Sequence, residues 1–186
     1  MGNTSAIASE LSPQFVVLGF LRIRPMHGYN LHRHLQADLH ELWHISQSQS
    51  YAILKRLEKR GWVAPTPETH DKRHDRIIFH LSEEGKSHFD LWLSRPTASS
   101  TRAIRVEFLT RLFFASQLET GLAARLLQEQ IGASRRDLAR LERHLEEIPG
   151  HEPFNRLGLQ LRIRQLITAV EWLQSCEPSH LPALLD

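Results

Sequence analysis

The sequence predicts a mainly α chain with one small β-hairpin, the hairpin falling in the first half and the second half being all helical. Three observations carry this. Apolar residues recur at helical spacing along most of the 186 residues. One stretch, "WVAPTPETHDKRHDRIIFHLS", breaks that period with two β-favouring runs around a charged tip. A segment of Pro, Ser and Thr, "PTASSTR" from Pro96 to Arg102, then separates the mixed half from the purely helical one.

The elements follow in order. Residues 1–11 are small, polar and uncapped and read as a flexible N-terminus. "SPQFVVLGFLRIR" opens with Ser12 as N-cap and Pro13 at the first helical position, giving a buried first helix that ends near Pro25. "HGYNLHRHLQADLHELW" predicts a second helix entered through Gly28, with Leu31, Leu35, Leu39 and Leu42 on its inner face. The third helix lies in "HISQSQSYAILKRLEKRGWV". Ser46 and Gln49 form an S-x-x-Q capping box, Ile53, Leu54 and Leu57 face inward, and Gly61 stops the helix. Pro65 and Pro67 assign the first hairpin strand to an edge, where a missing N–H costs no ladder bond. "SEEGKSHFDLWLSR" returns to helix with Ser82 as its cap.

Beyond the linker, "IRVEFLTRLFFASQL" is amphipathic. In the long helix that follows, Leu127, Ile131, Ser134, Leu138, Leu141, Leu145 and Ile148 alternate spacings of four and three, the pattern of a coiled-coil seam with one polar member. Leu159, Ile163, Leu166, Val170 and Leu173 repeat it in the last helix. The domain reading is therefore 12–96 for the mixed unit, 103–178 for an α-helical dimerisation unit, and 179–186 for a tail. Leu127, Ile131, Leu138, Leu141, Leu145, Ile148, Ile163 and Val170 are the expected dimer contacts. The alternative is that the seam closes within one chain.

Composition limits the function. A 41% hydrophobic and 24% charged chain is that of a soluble globular protein, and a net charge of +2 is no polycation. One cysteine, Cys176, leaves no intrachain disulfide framework, which suits a reducing cytoplasm. Nothing beside it in sequence would lower its pKa as a redox sensor requires. The longest clean apolar run, "FVVLGFL", is far short of the ~20 residues of a membrane span. No basic residue precedes it, so it makes a poor signal peptide. No Ser-His-Asp order, phosphate-binding glycine loop or apolar carboxylate pair suggests an enzyme, and no cofactor is implied. Among twelve histidines, His40/His44 (i, i+4 on the second helix) and His70/His74 are paired, but without a third ligand no metal site is expected.

Three helices, a hairpin and a helix, with a polar head and basic flank on the third, are the layout of a winged helix-turn-helix. A recognition helix enters the major groove N-terminus first, so that Gln and Ser meet base edges while Lys and Arg neutralise phosphates. This reading places Gln47, Ser48, Gln49 and Tyr51 at the bases, Lys55 and Lys59 on phosphate, and Lys72, Arg73 and Arg76 on the wing. Gln49 serves as cap as well, and His27 would sit near phosphate at the start of the second helix. The competing reading of "KRLEKR" is a solvated face. Taken as a protein-interaction module, the same unit would meet an acidic protein through its basic face.

With "VLGFLRIRPMHGYNL", "SYAILKRLEKRGWV" and "FHLSEEGKSHF" in view, residues 15–96 resemble the winged-helix domain of the PadR family of bacterial transcriptional regulators. Gly28-Tyr29, Tyr51, Leu54, Leu57-Glu58, Gly61 and Ser82-Glu83-Glu84-Gly85 fill the family's places, and Ala52 stands where Pro is frequent. The resemblance adds Tyr29 to the DNA-binding set. The helical remainder is similar to the C-terminal domain of the virulence-activator type. The resemblance implies a cytoplasmic homodimer, held by C-terminal helices on an inverted-repeat operator in double-stranded DNA. Such regulators are typically repressors, often released by a small effector. Trp92, Arg105, Phe108 and Arg111 are the expected effector contacts, the aromatics for stacking and the arginines for a carboxylate; packing and surface charge are the alternative reading.

Overall fold

The computed structural model describes residues 12–68 and 76–176. The chain divides between Arg95 and Pro96 into two compact units.

The first unit runs α1 (Gln14–Ile23), β1 (Met26–His27), α2 (Gly28–Asp38), α3 (Gln47–Lys59), β2 (Val63–Glu68), β3 (Arg76–Leu81) and α4 (Glu83–Ser94). Every residue from Phe15 to Leu21 is buried, so α1 is the central helix, apolar all round because it is surrounded. Leu31 and Leu35 of α2, Ile53, Leu54 and Leu57 of α3, and Phe89, Trp92 and Leu93 of α4 complete the core. Phe15 stacks on Trp92 with centroids 4.8 Å apart. The Arg22–Asp90 pair at 3.2 Å also joins α1 to α4, but it is half exposed and adds little.

The sheet is antiparallel in the order β1-β3-β2. Pro65 and Pro67 lie on the edge strand β2, opposite Phe79 and Ile77. The sequence led to a two-stranded hairpin. The third strand is only Met26 and His27, paired with Phe79 and Ile78, and two residues are too few to leave a pattern. The second helix is also shorter than its leucine spacing implies. It stops at Asp38, and the Leu42 and Trp43 amides turn back to the Leu39 carbonyl. Leu39 and Ile45 still reach the core, but from a turn, while the Gln36 side chain donates to the Ile45 carbonyl at 3.1 Å. His40 and His44 therefore do not share a helix face: His40 sits in that turn beside Glu41 and His44 just beyond it. His70 and His74 lie outside the described residues.

The second unit starts with α5 (Thr101–Ala103), capped by Ser100, and a π-helical turn (Ile104–Phe108) that runs on into α6 (Leu109–Leu118). Gly121, at φ 84°, takes the left-handed conformation that turns the chain into α7 (Leu122–Glu147), and α8 (Pro153–Ser175) follows. The Glu107 and Arg111 side chains pair i, i+4 at 2.5 Å, each only 4% exposed. Arg111 also donates to Thr97 Oγ1 at 3.0 Å, and Gln130 donates to the Thr97 carbonyl at 3.3 Å and to Ser134 Oγ at 3.2 Å. A buried polar network thus fixes the first residues after the unit boundary.

The two seams meet each other. A short connection lays α8 back along α7, and Leu127, Ile131, Ser134 and Leu141 are buried together with Leu159, Ile163, Leu166, Val170 and Leu173. The residues expected to join two copies are therefore largely covered within one chain, because each 4-3 stripe finds its complement in the neighbouring helix. Leu138, Leu145 and Ile148 stay half-buried. What α8 leaves uncovered is a different face: Phe154, Leu157 and Leu161 are 85%, 59% and 59% exposed.

Candidate nucleic-acid interface

The polar head of α3 divides by what each side chain touches. Ser46 Oγ accepts from the Gln49 amide at 3.2 Å, and Gln49 Oε1 accepts from the Ser46 amide at 2.8 Å. Both free donors at the helix start are met, a full capping box. Ser50 is buried: its hydroxyl donates to the Ser46 carbonyl at 3.2 Å and lies 3.1 Å from His32 Nδ1, which fits a ring donating from that nitrogen. Three of the five polar residues from Ser46 to Ser50 thus build the helix, and Gln49 is held by its cap though exposed. Gln47 and Ser48 are exposed, with Ser48 Oγ 3.0 Å from Ser46 Oγ.

Tyr51, Lys55 and Lys59 continue that exposed side at spacings of four, opposite the buried Ser50, Ile53, Leu54 and Leu57. The two lysines form no ion pair among the described residues. Arg60 is occupied instead: it donates to Gln14 Oε1 at 3.0 Å and lies over the Trp62 ring at 5.3 Å.

Tyr51 leans on the start of α2. A Cβ at Gly28 would come within 2.7 Å of Tyr51 Cε1, so the glycine of the Gly28-Tyr29 pair makes room for the tyrosine of α3. A cleft of about 600 Å³ opens there, lined by His27, Tyr29, Asn30, Tyr51, Ile77 and Phe79. Tyr29 and Tyr51, 59% and 43% exposed, stand at its walls. The sheet and α2 thus bring Tyr29 beside Tyr51 from positions far apart in sequence. Asn30 and Ile77 were not singled out beforehand, because only the β1–β3 pairing brings them to this face. For His27, its place beside Gly28 was the one signal.

On the wing, Lys72 and Arg73 lie outside the described residues, and Arg76 is placed by its backbone at the start of β3. The four proposed effector contacts have varied surroundings. Trp92 is in the core against Phe15, Phe108 is buried, Arg111 is held by Glu107 and Thr97, and Arg105 is exposed. Burial raises the Cys176 thiol pKa, the opposite of what thiolate chemistry needs, and its Sγ lies 3.4 Å from the Trp172 carbonyl. Among the described residues no helix is long and apolar enough to cross a membrane, and no three metal-ligating side chains cluster.

Comparison with known proteins agrees with this layout unit by unit. Residues 17–91 match the transcriptional regulator PadR-like family, and residues 104–179 match the virulence activator alpha C-terminal domain. The negative transcriptional regulator PadR of Bacillus subtilis is 24% identical over 135 residues, 73% of this chain and 74% of its own length. The crystal structure of that protein in complex with operator DNA aligns at a TM-score of 0.45 and 23% identity, covering 87% of this chain and 95% of the other. Its complex with p-coumaric acid aligns at 0.40 and 24%, covering 88% and 95%. With a family match on each side of the boundary, the comparisons support a transcriptional regulator similar to the PadR-like family over its winged helix and to the virulence-activator type over its C-terminal domain.

Proposed function

We propose that this regulator is a cytoplasmic, dimeric repressor that reads an inverted-repeat operator with Gln47, Ser48 and Tyr51 and grips phosphate with Lys55 and Lys59. The observation that carries this reading is the division of α3: its caps and core face are occupied, and one continuous polar and basic face is left exposed. The Bacillus subtilis relative, described as a negative regulator, supports repression. Its p-coumaric acid complex supports an aromatic acid as effector class. In that reading Arg105 offers an exposed cation, and Arg111 would exchange Glu107 for the acid's carboxylate.

The test is fluorescence anisotropy on DNA from upstream of the protein's own gene, titrated with salt. Contacts to roughly 6–10 phosphates should cost about 10³–10⁵ in affinity between 50 and 200 mM salt. Lys55→Ala should weaken every sequence alike and lower the log–log salt slope by about one. Absence of binding at low salt would overturn the reading.

The dimer surface is assigned to the exposed Phe154, Leu157 and Leu161 face of α8, since the seam beside it is filled within the chain. Leu157→Glu, at an exposed position, should leave the fold intact and shift sedimentation from dimer to monomer. An unchanged sedimentation profile would place the dimer elsewhere.

A further inference from the structure

We propose that His27 is a positioning residue for DNA binding, an imidazolium clamp that fixes the wing against the start of the second helix. The proposal rests on the DNA-binding reading for its consequence, but its geometry stands apart from it. His27 holds three structural places at once. Its backbone pairs with Ile78 in β1, it is the extended residue that caps α2 (φ −69°, ψ 148°), and its ring crosses the sheet. Nδ1 lies 3.0 Å from the Ile77 carbonyl oxygen on β3, and Nε2 lies 3.1 Å from Glu68 Oε2 on β2. In the sequence Glu68 and Ile77 stand on either side of the segment that holds Lys72 and Arg73. One ring therefore ties both strands of the hairpin to the helix whose first turn borders Tyr51.

The proton count gives the clamp its chemistry. A carbonyl oxygen and a carboxylate both accept. A neutral imidazole has a single N–H and can satisfy only one of them, whereas the doubly protonated ring satisfies both. Around the ring, the titratable groups among the described residues are Glu68 from β2, Tyr51 from α3 and Tyr29 from α2; β3 presents Ile77 and Phe79. Glu68 is the acidic group at the ring, so protonation of His27 completes the pair and draws the hairpin in. Loss of that proton leaves one of the two acceptors facing a ring nitrogen with no hydrogen to give. The wing's cations are then carried by a hairpin with one tie fewer.

The test uses the full-length protein with His27→Gln and Glu68→Gln, the upstream fragment, and a mixed-sequence duplex of equal length. Wild type should bind both duplexes more tightly as pH falls from 8.5 to about 5.5, across the range in which histidine titrates. Both variants should flatten that dependence, and His27→Gln should lower the salt slope by about one to two as wing phosphates are lost. Circular dichroism reports folding. If His27→Gln does not fold, Glu68→Gln decides, because its amide can donate to a neutral ring and keep the contact without the charge. An arm without DNA reads the tie directly: amide hydrogen exchange in β2 and β3 should be slow in wild type and faster in His27→Gln. Wild type that binds DNA, with variants that keep its salt slope and pH profile, overturns the clamp and leaves the function standing. Wild type that binds no DNA, with exchange in β2 and β3 that quickens in His27→Gln, overturns the function and leaves the clamp.

Discussion

Glu107→Ala is expected to destabilise the helical unit by about 3–5 kcal/mol, the usual cost of removing one partner from a buried ion pair. Both side chains are 4% exposed, so water cannot take the place of the lost carboxylate. Arg111 also donates to the neutral Thr97 hydroxyl, a bond the substitution leaves in place. The double variant Glu107→Leu/Arg111→Met should recover most of the loss, because an apolar pair of similar volume needs no compensation. Urea unfolding followed by circular dichroism measures both. A single variant within about 1 kcal/mol of wild type, the range of ordinary surface changes and less, would show that water reaches the pair.

Gly85→Ala should be the most damaging conservative change in the winged helix. An added Cβ would lie 2.1 Å from the Trp62 carbonyl oxygen and 2.9 Å from its carbon, and both are backbone atoms that no rotamer change moves aside. The same carbonyl accepts from the Ser82 amide at 3.1 Å, and Ser82 Oγ bonds both the Gly85 amide and the Gly61 carbonyl. Relieving the clash therefore displaces the cap of α4 and the entry to β2 together. The loss should reach or exceed the upper end of the about 1–3 kcal/mol typical of overpacking. Gly61→Ala is the control. Gly61 ends α3 at φ 73° with nothing within 4 Å of a new Cβ, so it should show only the left-handed backbone cost of about 1–2 kcal/mol. If Gly61→Ala proves the worse of the two in thermal or urea unfolding, backbone conformation outweighs the contact.

How much could be read beforehand depended on whether a feature is local. The capping box of α3, its stop at Gly61, the cap at Ser82 and the prolines on an edge strand are set by a few adjacent residues, and the structure has them all. The extent of α2 was misjudged because Leu39 keeps the helical spacing while serving the core from a turn. The seam was legible as a seam, but spacing does not say whether its partner lies in the same chain. At the candidate interface, Gln47, Ser48, Tyr51, Lys55 and Lys59 follow from one exposed helical face. The cleft beside them does not. It depends on Met26 and His27 pairing across some fifty residues with Ile78 and Phe79, a contact that leaves no trace in either segment alone.

The capping box bears on how such a regulator acquires new targets. Ser46, Gln49 and Ser50 are bound to the helix they begin, so mutation there is selected for folding. Gln47 and Ser48, between them, are exposed and outside the capping box, so in the proposed reading they answer to the DNA. Two neighbouring positions can drift through many side chains while the helix keeps its start, its direction and its depth of insertion. Duplicated copies of this gene could therefore part company in the operators they recognise long before they differ in architecture.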